Sequence, residues 1–301
     1  MEDLVSIIIP TYGGANLLPR AIEGVLIQTH QEFELIIVDD NGKGTDNQLK
    51  TASVIEPYLT DNRIEYIVHD VNRNGSAARN TGVSHSKGNY IALLDDDDVY
   101  NPDFIEKQLV VLKALPLEYA MVYCSHESYF DGVKIEEYHA EASGNLLYEN
   151  LIHSIEIATT SALIRRSAFE NIGGFDESFR RHQDWEFMAR LAAKYLIKAN
   201  DFLGYKRYLE WRNVPVDAEK AKLFRLHYLE KMTPLLNCLS KKQARTVIVY
   251  NKLDVALWYL KERRPLKFVK EYIEIKPGLR GLRFMYRRIM LIINRGKMKL
   301  V

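Results

Sequence analysis

A chain of 301 residues with 47% hydrophobic content can bury a sizeable core, which excludes a disordered protein and allows one large domain or two ordinary ones. The formal net charge of +1 conceals an asymmetry: residues 1–204 carry a net of −15 and residues 205–301 a net of +16. Such a split suggests an acidic catalytic part joined to a basic part that meets an anionic surface. Cys124 and Cys238 stand far apart and in no metal-ligand spacing. That suits a reducing compartment without a disulfide framework. The opening stretch MEDLVSIIIPTY lacks a basic region and a long apolar run, so no signal peptide is expected. No window approaches the roughly 18 apolar residues of a membrane-spanning helix.

The predicted elements alternate through the first hundred residues. Strands are expected at 4–10, 33–40, 63–70 and 89–98, and helices at 15–29, 46–60 and 75–88. That order predicts a mainly parallel sheet with helices on both faces. Ligands of such sheets bind beyond the carboxyl ends of the strands. Thr11 and Tyr12, Asp39 and Asp40, and Asp95 to Asp98 all follow strands and are expected to converge there. A helix is expected over 101–115, with Asn101 as its N-cap, Pro102 in the first turn and Asp103 at the positive end of the dipole. A strand is expected over 119–130, a strand and short helix over 157–175, and a helix over 182–195. From about residue 218 the pattern is mostly helical, and the domains expected are 1–205 and 206–301.

The run YIALLDDDDVYNPD, residues 90–103, drives an apolar strand into four aspartates. Two unit charges about 4 Å apart repel by roughly 4 kcal/mol at an effective dielectric of about 20. A cation, several hydrogen-bond donors or full solvation must offset that. Alternation places Asp95 and Asp97 on one side and Asp96 and Asp98 on the other. Carboxylates two apart can share Mg²⁺ or Mn²⁺ with the oxygens of a polyphosphate. An acidic run can also be a solvated loop, and Asp98 reads as a capping or supporting group. The position at the ligand side of a parallel sheet favours the metal.

Four stretches carry a family resemblance: VSIIIPTYGGANLLPRAIEGVLIQT, FELIIVDDNGKGTDN, NRNGSAARNTGVSHSKGNYIALLDDDDVYNPD and SAFENIGGFDESFRRHQDWEFMARL. Together, over roughly residues 4–195, they resemble family 2 glycosyltransferases of the type that builds bacterial surface polysaccharides. The resemblance implies the GT-A fold, a Rossmann-like nucleotide-diphospho-sugar transferase fold, followed by a mostly helical extension. It implies a nucleotide-sugar donor, Mn²⁺ or Mg²⁺ held through a DxD-type motif, and transfer with inversion. Carried over, Thr11 and Tyr12 lie against the nucleotide base, and Asp40 binds the uracil N3–H, which implies UDP. Asp39 supports its loop. Arg79 contacts the base or phosphate side, Asp95 and Asp96 face the ribose, and Asp97 is the direct metal ligand. Asp184 matches the family's catalytic base. One departure is PTYGG, where many members have Asn after the Tyr.

Each of these residues also has a plainer reading. Arg79 can be a surface helix arginine. Asp184 can be an acid favoured by a helix N-terminus. Trp185 can stack on an acceptor sugar or pack in the core. Thr160, Arg181 and Trp185 are the acceptor-side candidates, although half-buried strand threonines are usually structural. The acceptor expected is a saccharide or lipid-linked saccharide.

The basic stretch 279–299 places Leu282, Met285, Ile289 and Ile293 on one stripe and Arg280, Arg283 and Arg287 on another. It reads either as a membrane-surface helix or as a face that packs on the protein or in a homodimer. Nucleic acid is not expected. The location expected is cytoplasmic, peripheral on the inner face of the cell membrane. Competing functions are a sugar nucleotidyltransferase, for which PTYGGANLLPR lacks the glycine-rich triphosphate loop, and a non-catalytic scaffold.

Overall fold

The computed structural model describes residues 3–209, 217–278 and 281–286. The chain divides into two compact units, Met1–Leu146 with Ile155–Glu210, and Leu147–Ser154 with Trp211–Val301.

The first unit begins with β1 (Val5–Thr11), α1 (Leu18–Leu26), β2 (Phe33–Asp39), α2 (Asp46–Ile55), β3 (Ile64–Val68), α3 (Gly75–His85) and β4 (Tyr90–Leu93). These strands pair in parallel in the order β3-β2-β1-β4. β1 and β2 are mostly apolar because both faces of the sheet are covered, and the polar pair Ser6 and Glu34 is joined by a hydrogen bond of 2.7 Å. Val5, Ile7 and Ile9 share a core with Leu18, Ile22 and Val25 of α1. Ile8 faces α3, where a Cβ at Gly82 would meet Ile8 Cγ2 at 2.3 Å. Only glycine lets that helix approach so closely. Pro10 is tolerated in β1 because β4 pairs only as far as Ile8, which leaves β2 alone beside the proline. α2 is shorter than expected. Pro57 follows it, and residues Glu56–Thr60 tighten into a 3₁₀ turn.

The sheet continues with β5 (Val99–Tyr100), α4 (Phe104–Ala114), β6 (Tyr119–Phe130) and β7 (Val133–Tyr138). After α5 (Leu147–Leu151), which belongs to the second unit, come β8 (Ala162–Arg165), α6 (Arg166–Asn171), α7 (Gln183–Lys194) and β9 (Leu196–Leu209). β8 joins β4 to β6 by antiparallel pairing, β9 runs parallel to β6, and β5 pairs antiparallel with β9. The complete sheet has nine strands and mixed direction. α4 starts two residues later than expected, with Asp103 at the N-cap and no side-chain cap bond. Asn101 instead donates to the Leu203 carbonyl at 2.7 Å, tying the start of α4 to β9.

The second unit contains α5, α8 (Ala218–Leu236), α9 (Lys241–Lys261) and α10 (Pro265–Ile275). Asp217 caps α8, and Ser240 with Gln243 forms a capping box on α9. Asn251, fully buried on α9, donates to the Leu151 carbonyl at 2.9 Å and so holds α5. Most of the 279–299 stripe lies outside the described residues. Among the described residues no helix is long and apolar enough to cross a membrane.

Candidate active site

The four aspartates follow β4, and the local backbone decides where each points. β4 ends at Leu93, and the Asp98 N–H bonds to the Asp95 carbonyl at 3.1 Å, closing a turn. The turn breaks the strand alternation. Carboxylate oxygens of Asp95, Asp97 and Asp98 therefore lie within 4.8 Å of one another. Asp96 leaves the group, and its carboxylate accepts from the Thr11 hydroxyl at 2.6 Å, a buried bond that joins the ends of β1 and β4. The grouping of Asp95 with Asp97 is the one that alternation predicts, and the turn adds Asp98 to it.

The cluster is strongly charged. Burial, then repulsion from Asp95 and Asp97, pushes the Asp98 carboxyl well above the ordinary carboxylate value. Two donors oppose this: the Tyr208 N–H at 3.1 Å, and Thr160. Three converging carboxylates suit a hard divalent cation, which would relieve their mutual repulsion.

Arg79 on α3 is the principal counter-charge. One guanidinium nitrogen donates to Asp95 Oδ1 at 2.6 Å and another to Gln183 Oε1 at 3.1 Å. Gln183 opens α7 and precedes Asp184, so one arginine ties the acid turn to the start of that helix. A Cβ at Gly75 would sit 3.0 Å from both Arg79 Nη1 and Gln183 Oε1, and glycine leaves room for the tie. Asp184 keeps partial solvent access, yet protein surrounds it closely. Burial raises its pKa above the ordinary aspartate value. The Trp185 N–H and Arg79 oppose that rise, and Asp95 reinforces it.

The other candidates take more local roles. Tyr12, just after β1, is 60% exposed. Asp39 supports its loop, accepting from Asn41 and from the Tyr66 hydroxyl at 2.6 Å. Asp40 is buried, and its carboxylate already accepts from His69 Nδ1, Asn72 Nδ2 and the N–H groups of Arg73 and Asn74, at 2.7–2.8 Å. Four donors fill the acceptor capacity of a carboxylate. Asp40 therefore organises the 72–74 loop. Thr160 is buried beneath the acid turn, where its hydroxyl is 3.4 Å from the Asp95 N–H. Trp185 stacks on His182, with ring centroids 4.1 Å apart. Glu186 is buried and paired with Arg190, whose guanidinium also holds the carbonyls of Ile172 and Gly174. Arg181 is exposed.

Two supporting residues carry no signal in the sequence. Arg20 on α1 donates to the Asp97 carbonyl at 2.7 Å, and its guanidinium stacks 3.6 Å above the Tyr208 ring. Tyr208 in turn donates its N–H to Asp98. Together they grip the acid turn from both sides. Finding them requires knowing that β9 returns beside β5. The polar sequence NDFLGYKRYL hides that strand.

The sequence model of glycosyl transferase family 2 matches residues 6–173, and the chain belongs to that family. The match ends before Asp184. An uncharacterized glycosyltransferase of Rickettsia typhi is 35% identical over 191 residues, covering 61% of this chain and 57% of that protein. TuaG of Bacillus subtilis, which bears the name of a teichuronic acid biosynthesis glycosyltransferase, is 30% identical over 166 residues, 55% of this chain and 63% of its own. The chain thus spans less than two thirds of the length of these curated relatives. Among solved structures, Staphylococcus aureus TarS 1-349 in complex with UDP-GlcNAc superimposes with a TM-score of 0.60 at 14% identity, covering 92% of this chain and 91% of that one. The mannosyltransferase PcManGT of Pyrobaculum calidifontis, in complex with GDP-Man and Mn²⁺, gives 0.60 at 15% identity over 96% of this chain and 80% of that one. At such identities the likeness shows the fold, which is the expected GT-A arrangement with a helical C-terminal region.

Proposed function

We propose that the protein is a metal-dependent inverting glycosyltransferase. It moves a sugar from a nucleotide-diphosphate donor, with UDP as the nucleotide, to a saccharide or lipid-linked saccharide acceptor in cell-surface polysaccharide or glycolipid synthesis. The observation that carries this reading is the Arg79 tie, which links a three-carboxylate cluster to the helix bearing Asp184. The named functions of TuaG and the bound UDP-GlcNAc of TarS support the acceptor class and the nucleotide. The Mn²⁺ of the mannosyltransferase supports the metal.

Asp95, Asp97 and Asp98 would hold Mn²⁺ or Mg²⁺, with Asp97 the principal ligand. When bound, the ion stabilises negative charge on the departing diphosphate as a Lewis acid. Tyr12 offers its exposed ring to the nucleotide base. Asp184 accepts the proton of the acceptor hydroxyl as that oxygen bonds to the anomeric carbon. The bond from that carbon to the diphosphate oxygen breaks on the opposite face, and the nucleoside diphosphate leaves with the electron pair. An aspartate whose pKa is raised by burial is a better base than an exposed one. For the basic C-terminal half we add an anionic membrane surface as partner, with a homodimer through its helices as the competing arrangement.

The test is a panel of UDP-, GDP- and other nucleotide sugars incubated with the full chain and Mn²⁺ or Mg²⁺. Metal-dependent release of a nucleoside diphosphate is expected. Pyrophosphate as the product would identify a sugar nucleotidyltransferase, and no turnover or binding of any donor would identify a scaffold.

A further inference from the structure

α10 is apolar on two faces. Phe268, Tyr272 and Ile275 are half-buried on the face where the helix packs along α9. Leu266, Val269 and Ile273 recur at helical spacing on the other face, and they are 86%, 48% and 64% exposed. In the turn of helix at 281–286, Leu282 and Tyr286 are exposed as well. Large apolar side chains in such a row, rather than scattered singly, mark an interaction surface.

The charges beside the stripe indicate what it meets. Lys270 lies at its edge, Lys276 follows the last helical turn, and Arg263 precedes the helix; all three are exposed. No acid pairs with Lys270 or Lys276 among the described residues. Of the two acids on α10, Glu271 is engaged by Lys222, and Glu274 stands exposed one turn after Lys270, on the flank away from Val269. Residues 205–301 carry a net of +16. Two copies meeting on this stripe would bring equal patches of positive charge together, because a two-fold interface joins a surface to itself. An anionic bilayer supplies the opposite charge and an apolar interior at once.

We propose that the exposed stripe of α10 is the face by which the C-terminal half lies on an anionic lipid surface. Leu266, Val269 and Ile273 enter the boundary between headgroups and acyl chains, and Lys270 and Lys276 rest among the anionic headgroups. This rests on the reading of the basic half as membrane-facing and is independent of the sugar-transfer assignment. It also places the contact on a helix other than the 279–299 stretch.

The full chain is tested for co-sedimentation with vesicles of phosphatidylcholine alone and of phosphatidylcholine mixed with phosphatidylglycerol, at low and high salt. The wild type is expected to bind the mixed vesicles and to release them as salt rises. Leu266→Gln/Val269→Gln/Ile273→Gln should weaken that binding by about tenfold or more, since the apolar area that enters the bilayer is lost. Lys270→Gln/Lys276→Gln should weaken binding to the anionic vesicles and reduce the salt dependence. All five positions are exposed, and circular dichroism with size-exclusion chromatography confirms that the variants fold. Wild-type binding unchanged in the triple variant would overturn the assignment to α10 and leave the membrane reading standing. No wild-type binding at low salt would overturn both. A wild-type dimer that the triple variant converts to monomer, with no vesicle binding, would assign the stripe to a second copy.

Discussion

The two units handle charge in opposite ways. In the α/β unit the acids of the crevice are assigned one by one: Asp40 to a loop, Asp96 to Thr11, Asp95 to Arg79, Asp98 to Tyr208. In the helical unit most of the described cations sit on exposed helix faces, while the buried Arg225 is held by the buried Asn251 and the half-buried Asp254. Fixed charges hold a geometry, whereas spread charges hold a surface. A substitution in the crevice should therefore remove a chemical step, and one in the helical unit should change stability or attachment.

The largest effect expected is at Asp97. Asp97→Ala removes the proposed principal ligand and should abolish turnover and metal-dependent binding of the nucleoside diphosphate. It also relieves repulsion within the cluster, so the metal-free protein should not lose stability. Isothermal titration of UDP with and without Mn²⁺ checks this. Unchanged metal dependence would break the contrast at its strongest point.

Asp184→Asn keeps shape and hydrogen bonding but cannot take a proton. Transfer should fall by about 10²–10⁴-fold while donor binding survives, the usual scale of general-base catalysis. The pH profile gives a second check. Only the ionised carboxylate accepts a proton, and burial raises the Asp184 pKa. The rate at saturating donor should thus be full at neutral pH and lost as pH falls through a value above the ordinary aspartate pKa of about 4. A profile flat down to pH 4 would show that burial does not tune this group.

How much of this was legible in the sequence follows the range of the interactions. β1 to β4 and their helices could be read because buried parallel strands are apolar runs closed by turn residues. The DDDD run marked the crevice, but a four-residue turn, closed by Asp98 N–H on Asp95, decided which acids converge. Alternation assumed a strand that ends at Leu93. Asp40 was placed at the correct loop, but the groups that hold it there, from residues 69–74, come from a loop with no readable period. β9 and its Tyr208 were invisible, since a half-buried strand of mixed polarity has no clean period.

A mid-sized effect is expected in the helical unit. Asn251 is fully buried, accepts from Arg225 Nη1 at 2.7 Å and donates to the Leu151 and Val247 carbonyls. Asn251→Ala strands those partners and should cost about 1–3 kcal/mol for each buried group left unpaired. Thermal denaturation should show the loss while donor hydrolysis per folded molecule stays unchanged. A fall in the catalytic rate at a temperature where the variant is folded would mean that the two units do not divide labour as their charges suggest.

The smallest effect expected is the most discriminating, because Arg20 holds the acid turn at the Asp97 backbone carbonyl. Its guanidinium donates to the Asp97 carbonyl and lies flat on Tyr208, and lysine can reproduce the charge but not the planar stack. Arg20→Lys should leave the acids in place but loosen the turn, since misplacing a site by a fraction of an ångström weakens positioning without deleting a ligand. The expected result is about a tenfold loss in kcat/KM, equivalent to about 1.4 kcal/mol, with the metal concentration for half-maximal rate raised in parallel. Tyr208→Phe keeps both the ring and the N–H that Asp98 accepts, so it should be near neutral, and Tyr208→Ala should match Arg20→Lys. Lower kcat in Arg20→Lys at an unchanged metal requirement would remove the grip from the metal site and assign Arg20 to packing alone.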